Sequence, residues 1–399
     1  MKDAFLFDAL RSPRGRAKDT GGLHELTPQA LLQQLYAALV ERTGLDPAGV
    51  DDVILGCVTQ QGEQAGNIAK SSTLYSGWPT WVPGITVNRY CSSGIDAIAL
   101  AGAKINAGIA DTVVAGGVEM MSRVPMLADK ARVFTDPEFA VACKMLMMGS
   151  GADLIASLHG VSREAADAVA LSSQLRAAHA REAGYFSRSL IPINTSQGTV
   201  DQDECIRAGI SADDLAGLPA AFAELGAAGT DALQLLGHEH LDSISHIHTA
   251  GNSPAMADGA ALVLVGDSEL ASRCGLSPRA RISASITVSA DPLQVLSGCV
   301  EAARALMQRQ GLSSADVDLF EIHEAFAATS VMCQQTLGID DDRLNVNGGV
   351  IALGHPMGAT GAMMAGTLLD ELERRDLSCG IVSAAGAAGS GSAVFIERL

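Results

Sequence analysis

The feature that most constrains this chain is an internal repeat. Residues 42–53 read R-T-G-L-D-P-A-G-V-D-D-V and residues 309–320 read R-Q-G-L-S-S-A-D-V-D-L-F, so that Gly44 and Gly311, like Val50 and Val317, stand 267 positions apart. Each copy follows a stretch with helical apolar spacing, Pro28 to Glu41 and Pro292 to Gln308, and each leads into an apolar run, V-I-L-G-C-V or L-F-E-I-H. A second echo at the same offset pairs Gly94 to Ala115 with Gly361 to Val382: a helix of small residues, a charged turn, then a β-rich run. Alternation of helix and buried β-run predicts parallel strands joined by crossovers. Repetition of the unit predicts two α/β halves facing each other.

At 399 residues the chain has room for two such cores. The expected first half is residues 1–117, regaining a strand within 251–270, and the expected second half is 271–399. Between them, 118–250 differs in character: Met-rich (Met120, Met121, Met126, Met145, Met147, Met148), then helical from Ser162 to Ala183, then loop-like. This is read as an inserted loop or lid domain, its methionines serving as core filling or as an adaptable wall for an acyl chain.

A formal charge of −18 argues against general nucleic-acid binding and against anionic membranes, since both need a basic surface. No apolar run approaches the ~18 residues of a membrane-spanning helix. The eight cysteines lack C-x-x-C pairs, and the start M-K-D-A-F-L-F-D-A-L-R shows no export-signal core, so free thiols in a reducing cytoplasm are expected.

Within V-N-R-Y-C-S-S-G, Val87 to Gly94, a β-like run stops at Cys91 and a helical pattern begins. A cysteine at a helix N-terminus is expected to have a lowered pKa and to act as a nucleophile. Two stretches stand opposite it by repeat logic. One is E-I-H-E-A-F-A, Glu321 to Ala327, with His323 at a strand end; the other is N-V-N-G-G-V-I-A-L-G-H-P-M-G-A-T-G, Asn345 to Gly361, whose His355 precedes a helix as Cys91 does. Strand ends of α/β sheets are where active sites form.

These motifs, with T-A-G-N-S-P-A-M-A-D-G-A-A at Thr249 to Ala261 and G-G-V-E-M-M-S-R-V-P-M at Gly116 to Met126, occur in the order and spacing of the thiolase family, which the sequence resembles over nearly its whole length. The resemblance implies a duplicated five-layer α/β/α/β/α fold with an inserted loop domain, and a homodimer or homotetramer. It implies acyl-CoA and CoA as substrates, no permanently bound cofactor, no metal, and a possible β-oxidation complex partner. The implied reaction is cleavage of a 3-oxoacyl-CoA by CoA, giving acetyl-CoA (or propionyl-CoA) and a shortened acyl-CoA through an acyl-cysteine. Such chemistry needs a soft nucleophile, a base and oxyanion donors. Cys91 and His355 supply the first two, and His323, where many thiolases carry asparagine, joins His355 in holding the thioester oxygen. Backbone N–H groups near Cys91 and in the C-terminal glycine-rich turn form a second oxyanion site.

Two departures stand out. The family's second catalytic cysteine, near the C-terminus, falls at Ala385, and Cys379 is expected to be core. Either the chain works without that thiol, with His323 taking over the proton work, or a cysteine has been replaced there to disable it. At Leu146 to Gly149, L-M-M-G lacks the histidine of short-chain acetoacetyl-CoA thiolases, which favours longer or bulkier acyl groups. Ser253, Arg207, Met148 and Gly386 are the expected CoA and substrate contacts, with Arg14, Arg16 and Lys144 as further phosphate candidates. The histidines at 238, 240, 246 and 248 match no standard zinc spacing. Competing readings are a Claisen-condensing, ketosynthase-like enzyme using Cys91, His323 and His355, and a non-catalytic acyl-CoA-binding subunit.

Overall fold

The computed structural model describes residues 2–399. Its strands are β1 (Phe5–Arg11), β2 (Gly15–Arg16), β3 (Asp52–Gly56), β4 (Gly84–Val87), β5 (Thr112–Met120), β6 (Ile193–Thr195), β7 (Gly198–Val200), β8 (Ala257–Gly266), β9 (Ala280–Ser289), β10 (Leu319–Ile322), β11 (Cys379–Ala385) and β12 (Ser390–Arg398). All but the β6–β7 hairpin join one sheet, in the order β10-β11-β12-β9-β1-β8-β5-β3-β4 with β2 beside β8.

That order contains the repeat. Read inward from one edge it is β4-β3-β5-β8-β1, and from the other it is the bridge at Leu344 followed by β10-β11-β12-β9. The two series join where β1 pairs with β9, Phe5 opposite Arg281 and Leu6 opposite Ala280. The repeated motif does the same work in both places. Gly44 and Gly311 end the helices Pro28–Thr43 and Gly298–Gln310 in the left-handed region, at φ 65° and 69°. A 3-10 turn then feeds β3 or β10.

The expectation of parallel strands joined by crossovers holds for only part of the sheet. Only the β4-β3-β5 and β10-β11 pairs are parallel; β5–β8, β8–β1, β11–β12 and β12–β9 are antiparallel. The reason lies in the connections, because a short turn can join only antiparallel neighbours. In the second half Gly386 to Gly389 turns β11 into β12; in the first half the same hairpin position, between β5 and β8, is where the long insertion leaves and returns. The expected limits shift slightly as well: β5 continues past 117 to Met120, and the helix Ser268–Cys274 straddles 270.

Helices form layers on and between the sheet halves. Ser93–Asn106 and Met357–Arg374, the two halves of the second echo, pack on each other in a central core with residues of β5, β8, β11 and β12. Small residues make this approach possible: a Cβ on Gly94 would lie 2.8 Å from the Ala362 nitrogen, and one on Gly361 would lie 2.6 Å from the Ile95 nitrogen. The helix Pro28–Thr43 covers the first half and Gly298–Gln310 the second, each over its own apolar cluster. The insertion, with helices Met148–Leu158 and Arg163–Glu182, packs on the second half against Ala327–Leu337.

Candidate active site

The strand-to-helix junctions of the two halves meet at one place. After β4, the chain turns through Asn88 to Tyr90 and delivers Cys91 just ahead of the helix Ser93–Asn106. Tyr90 adopts φ 52°, a left-handed conformation unusual for a bulky residue, with its N–H donated to Asn88 Oδ1 at 2.9 Å. The loop is tied to the opposite half: Ser92 Oγ donates to the Ala384 carbonyl at 2.8 Å, and Ser392 Oγ donates to Asp96, which also pairs with Arg89.

His355 enters from the second half, between the short helix Val350–Leu353 and the helix Met357–Arg374. Its Nε2 lies 3.0 Å from Cys91 Sγ and its Nδ1 lies 2.8 Å from Thr360 Oγ1. An Nδ1–H donated to Thr360 leaves Nε2 free to accept the thiol proton. His323, one residue past β10, stacks obliquely on His355 with ring centroids 4.5 Å apart. The three side chains singled out in the sequence are therefore brought together.

The electrostatics differ from the sequence expectation of a lowered cysteine pKa. Burial pushes the Cys91 thiol up to about 12, with the nearby Glu119 carboxylate adding to the rise. Burial also holds His355 well below its ordinary value, helped by neighbouring His323 and Arg14, and brings His323 down to about 4. The one turn of helix dipole at Cys91 is outweighed by desolvation, so thiol and both imidazoles rest neutral.

Sequence reasoning missed the groups that hold this arrangement. Besides Thr360, the buried Glu119 at the end of β5 accepts from Val58 N, Thr59 N and Gly358 N at 2.9, 3.0 and 3.0 Å and from Gln64 Nε2 at 2.7 Å, binding the loop after β3 to the start of the helix Met357–Arg374. Glu324 accepts from Ser173 Oγ at 2.8 Å and Ile351 N at 3.2 Å, which fixes the H-E-A-F segment against the insertion. The only sequence signal for these was an acid within an otherwise apolar strand end.

Two cavities of about 270 Å³ each open on Cys91. One is lined by Asn88, Tyr90, Met148, Gly386 and Ala387. The other is apolar, walled by Met126, Met147, Met148, Phe222 and Phe326, and holds His323 and His355 together with Ser253. Of the methionines, Met120 and Met121 are core and Met126, Met147 and Met148 form the wall. Ser253 Oγ is donated to the Thr249 carbonyl at 2.6 Å.

Several expected contacts fall elsewhere. Arg14 is 1% exposed and lies inside the protein, so it cannot meet a phosphate at the surface. Arg16 is bound to Glu204, and Arg207 and Lys144 are exposed and line neither cavity. The glycine-rich turn offers fewer oxyanion donors than expected, because Gly386 N–H is spent on the Ser390 carbonyl at 2.7 Å. Gly386 serves close approach instead: a Cβ there would lie 2.7 Å from the Arg89 carbonyl oxygen. Ala385 is fully buried at the end of β11, immediately before this turn, while Cys379 is half-buried at the strand's far end. His246 and His248 share Asp153, at 2.8 and 2.7 Å, and anchor the insertion's last segment.

Residues 4–232 match the profile described as "Thiolase, N-terminal domain" and residues 276–398 match "Thiolase, C-terminal domain". The chain is 37% identical to proteins named 3-ketoacyl-CoA thiolase from Bacillus subtilis and Yersinia pestis, covering 100% of both chains in each case. Among solved structures it matches the Bacillus anthracis acetyl-CoA acetyltransferase with a TM-score of 0.87 at 36% identity, and human mitochondrial 3-ketoacyl-CoA thiolase with 0.87 at 32%, covering 100% of this chain and 99% of each of those.

Proposed function

The chain belongs to the thiolase family, and we propose that it is a 3-oxoacyl-CoA thiolase, transferring an acyl group from a 3-oxoacyl-CoA to CoA through acylated Cys91. The observation that carries this is the 3.0 Å contact between Cys91 Sγ and His355 Nε2 at the floor of an apolar cavity. A resting neutral pair sets the order of events. Substrate places its 3-oxo carbon at Sγ, His355 takes the thiol proton as the bond forms, and the carbon–carbon bond breaks to leave an enolate on the departing acetyl-CoA (or propionyl-CoA). CoA then attacks the acyl-cysteine, and His355 returns its proton to the sulfur. His323, beside His355, is assigned to the thioester oxygen.

The same reading makes CoA a substrate rather than a resident cofactor, with Met148, Gly386 and Ser253 along its approach. The degradative direction of β-oxidation, a cytoplasmic location and a complex partner belong to this proposal too. No helix of the described residues is long and apolar enough to cross a membrane. A homodimer is favoured by β4, an edge strand with Ile85, Tyr75 and Trp81 exposed around it, since an unpaired apolar edge invites a second copy.

Ala385 favours a second reading, a Claisen-condensing enzyme built on Cys91, His323 and His355. Steady-state assays with 3-oxoacyl-CoA plus CoA, beside malonyl-CoA plus an acyl-CoA, decide between them: thiolysis dominant supports the thiolase reading, and decarboxylative condensation dominant replaces it.

A further inference from the structure

A methyl group at Ala385 leaves one chemical task unassigned, because the enolate released by carbon–carbon cleavage must receive a proton. Behind His323 lies a second, much smaller cavity of about 10 Å³, lined by Arg14, Glu321, His323 and Glu324 among others. That is about the room needed by one water. Its walls carry an unusual density of unpaired polar atoms: Nδ1 and Nε2 of His323, and Nε and Nη1 of Arg14, have no hydrogen-bond partner among the described residues. These side chains are 2% and 1% exposed, and polar groups enclosed in this way are ordinarily satisfied by protein or by an ordered water. Glu321, within β10, stands two residues before His323 and is itself buried.

His323 is the one titratable side chain that lines both this cavity and the apolar reaction cavity. Its two nitrogens lie on opposite edges of the ring, so one can address substrate while the other addresses the small cavity. Resting on the thiolase reading above, we propose that Arg14 and Glu321 bind a water against His323, and that Glu321, water and His323 form a proton relay to the α-carbon in place of the thiol absent at Ala385. Burial, with the charges of Glu324 and Glu371, holds the Glu321 carboxyl well above its ordinary value, which favours the proton-bearing form that the relay uses.

Protons balance over the cycle. His323 gives one to the enolate carbon and regains it from Glu321 through the water, leaving a carboxylate beside Arg14. When CoA attacks acyl-Cys91, its thiol proton passes to His323 and back to Glu321, while His355 returns to Cys91 the proton it took at the start. Glu321 and Arg14 touch no substrate in this scheme; they act through His323.

The test is Glu321→Gln, read in two ways. Alkylation of Cys91 by iodoacetamide reports the Cys91–His355 pair and should stay within about twofold, whereas steady-state thiolysis of 3-oxooctanoyl-CoA should fall about 100-fold. Adding Ala385→Cys to Glu321→Gln should recover at least about tenfold of that loss, because a thiol then supplies the proton. Equal loss of alkylation and thiolysis, unchanged thiolysis, or no recovery in the double variant overturns the relay. Should Glu321→Gln fail to fold, a high-resolution crystal structure of the unaltered protein decides: water density bonded to Arg14, Glu321 and His323 supports the site, and a cavity without it overturns it. Water density in a protein that cleaves no 3-oxoacyl-CoA would instead contradict the thiolase reading and leave the water site standing.

Discussion

Thr360 Oγ1 lies 2.8 Å from His355 Nδ1, on the side of the ring opposite Cys91. The helix Met357–Arg374 thus sets the tautomer of the base from within its own first turn. Because the thiol rests protonated, the imidazole must present a bare Nε2, and only an acceptor at Nδ1 enforces that.

Replacing Thr360 by Val therefore removes the acceptor while keeping the shape. Acylation of Cys91 should slow by about 10- to 100-fold, and Thr360→Ser should retain most of the rate. Rapid-quench mass spectrometry measures both, and a Val variant as fast as the Ser variant contradicts the role.

His323→Ala and His355→Ala should impair different steps. Alkylation of Cys91 by iodoacetamide should need His355, since its base is gone, and should survive in His323→Ala. Thiolysis should fall in both, by about 100- to 1,000-fold for the loss of an oxyanion donor at His323. Equal loss of alkylation in the two variants would leave the division of labour unsupported.

Burial of His323 also predicts a stability profile. An exposed histidine titrates near 6.5 and His323 near 4, so between those values the unfolded chain binds a proton that the folded chain refuses. The stability held above about pH 6.5 is lost as pH falls toward 4, by roughly 3 kcal/mol for this group. Urea midpoints at pH 7 and pH 4.5 should draw together in His323→Asn; an unchanged difference contradicts the assignment.

The acyl cavity makes a prediction about specificity. Phe222 meets Phe326 edge to face with centroids 5.7 Å apart, and its ring lies over Gly149, where a Cβ would be 2.4 Å from a ring carbon. Gly149→Ala must push the ring aside, while Phe222→Ala removes it. Phe222→Ala should raise kcat/KM for longer chains relative to shorter ones by about 10-fold, within the range that one pocket contact supplies. A chain-length series measures the ratio; a flat change across the series would show that Phe222 does not bound the cavity.

Much of this architecture was legible because it is local and repeated. The Gly44 and Gly311 helix ends and the β3 and β10 starts lie at one offset, the helices after Cys91 and His355 start within three residues of it, and the structure places each pair equivalently. What escaped the sequence depends on long-range packing. Nothing around Arg14 announces that it is enclosed beneath His323 rather than held out to a phosphate. The antiparallel inner strands follow from where the insertion enters, which the apolar runs alone do not specify. The neutral Cys91 follows from desolvation by both halves at once, whereas the helix start visible in the sequence argues for the opposite sign. Thr360 and Glu119 stand within quoted motifs, but their partners lie on other elements.

The central claim is that Cys91 carries the acyl group, and its most direct test is peptide mapping of the protein after mixing with 3-oxooctanoyl-CoA in the absence of CoA. The account predicts a hexanoyl group on Cys91, acetyl-CoA in the supernatant, and no acyl label on Cys299, Cys333 or Cys379. A hexanoyl group on another cysteine with Cys91 free, or intact substrate beside an unmodified Cys91, would contradict it.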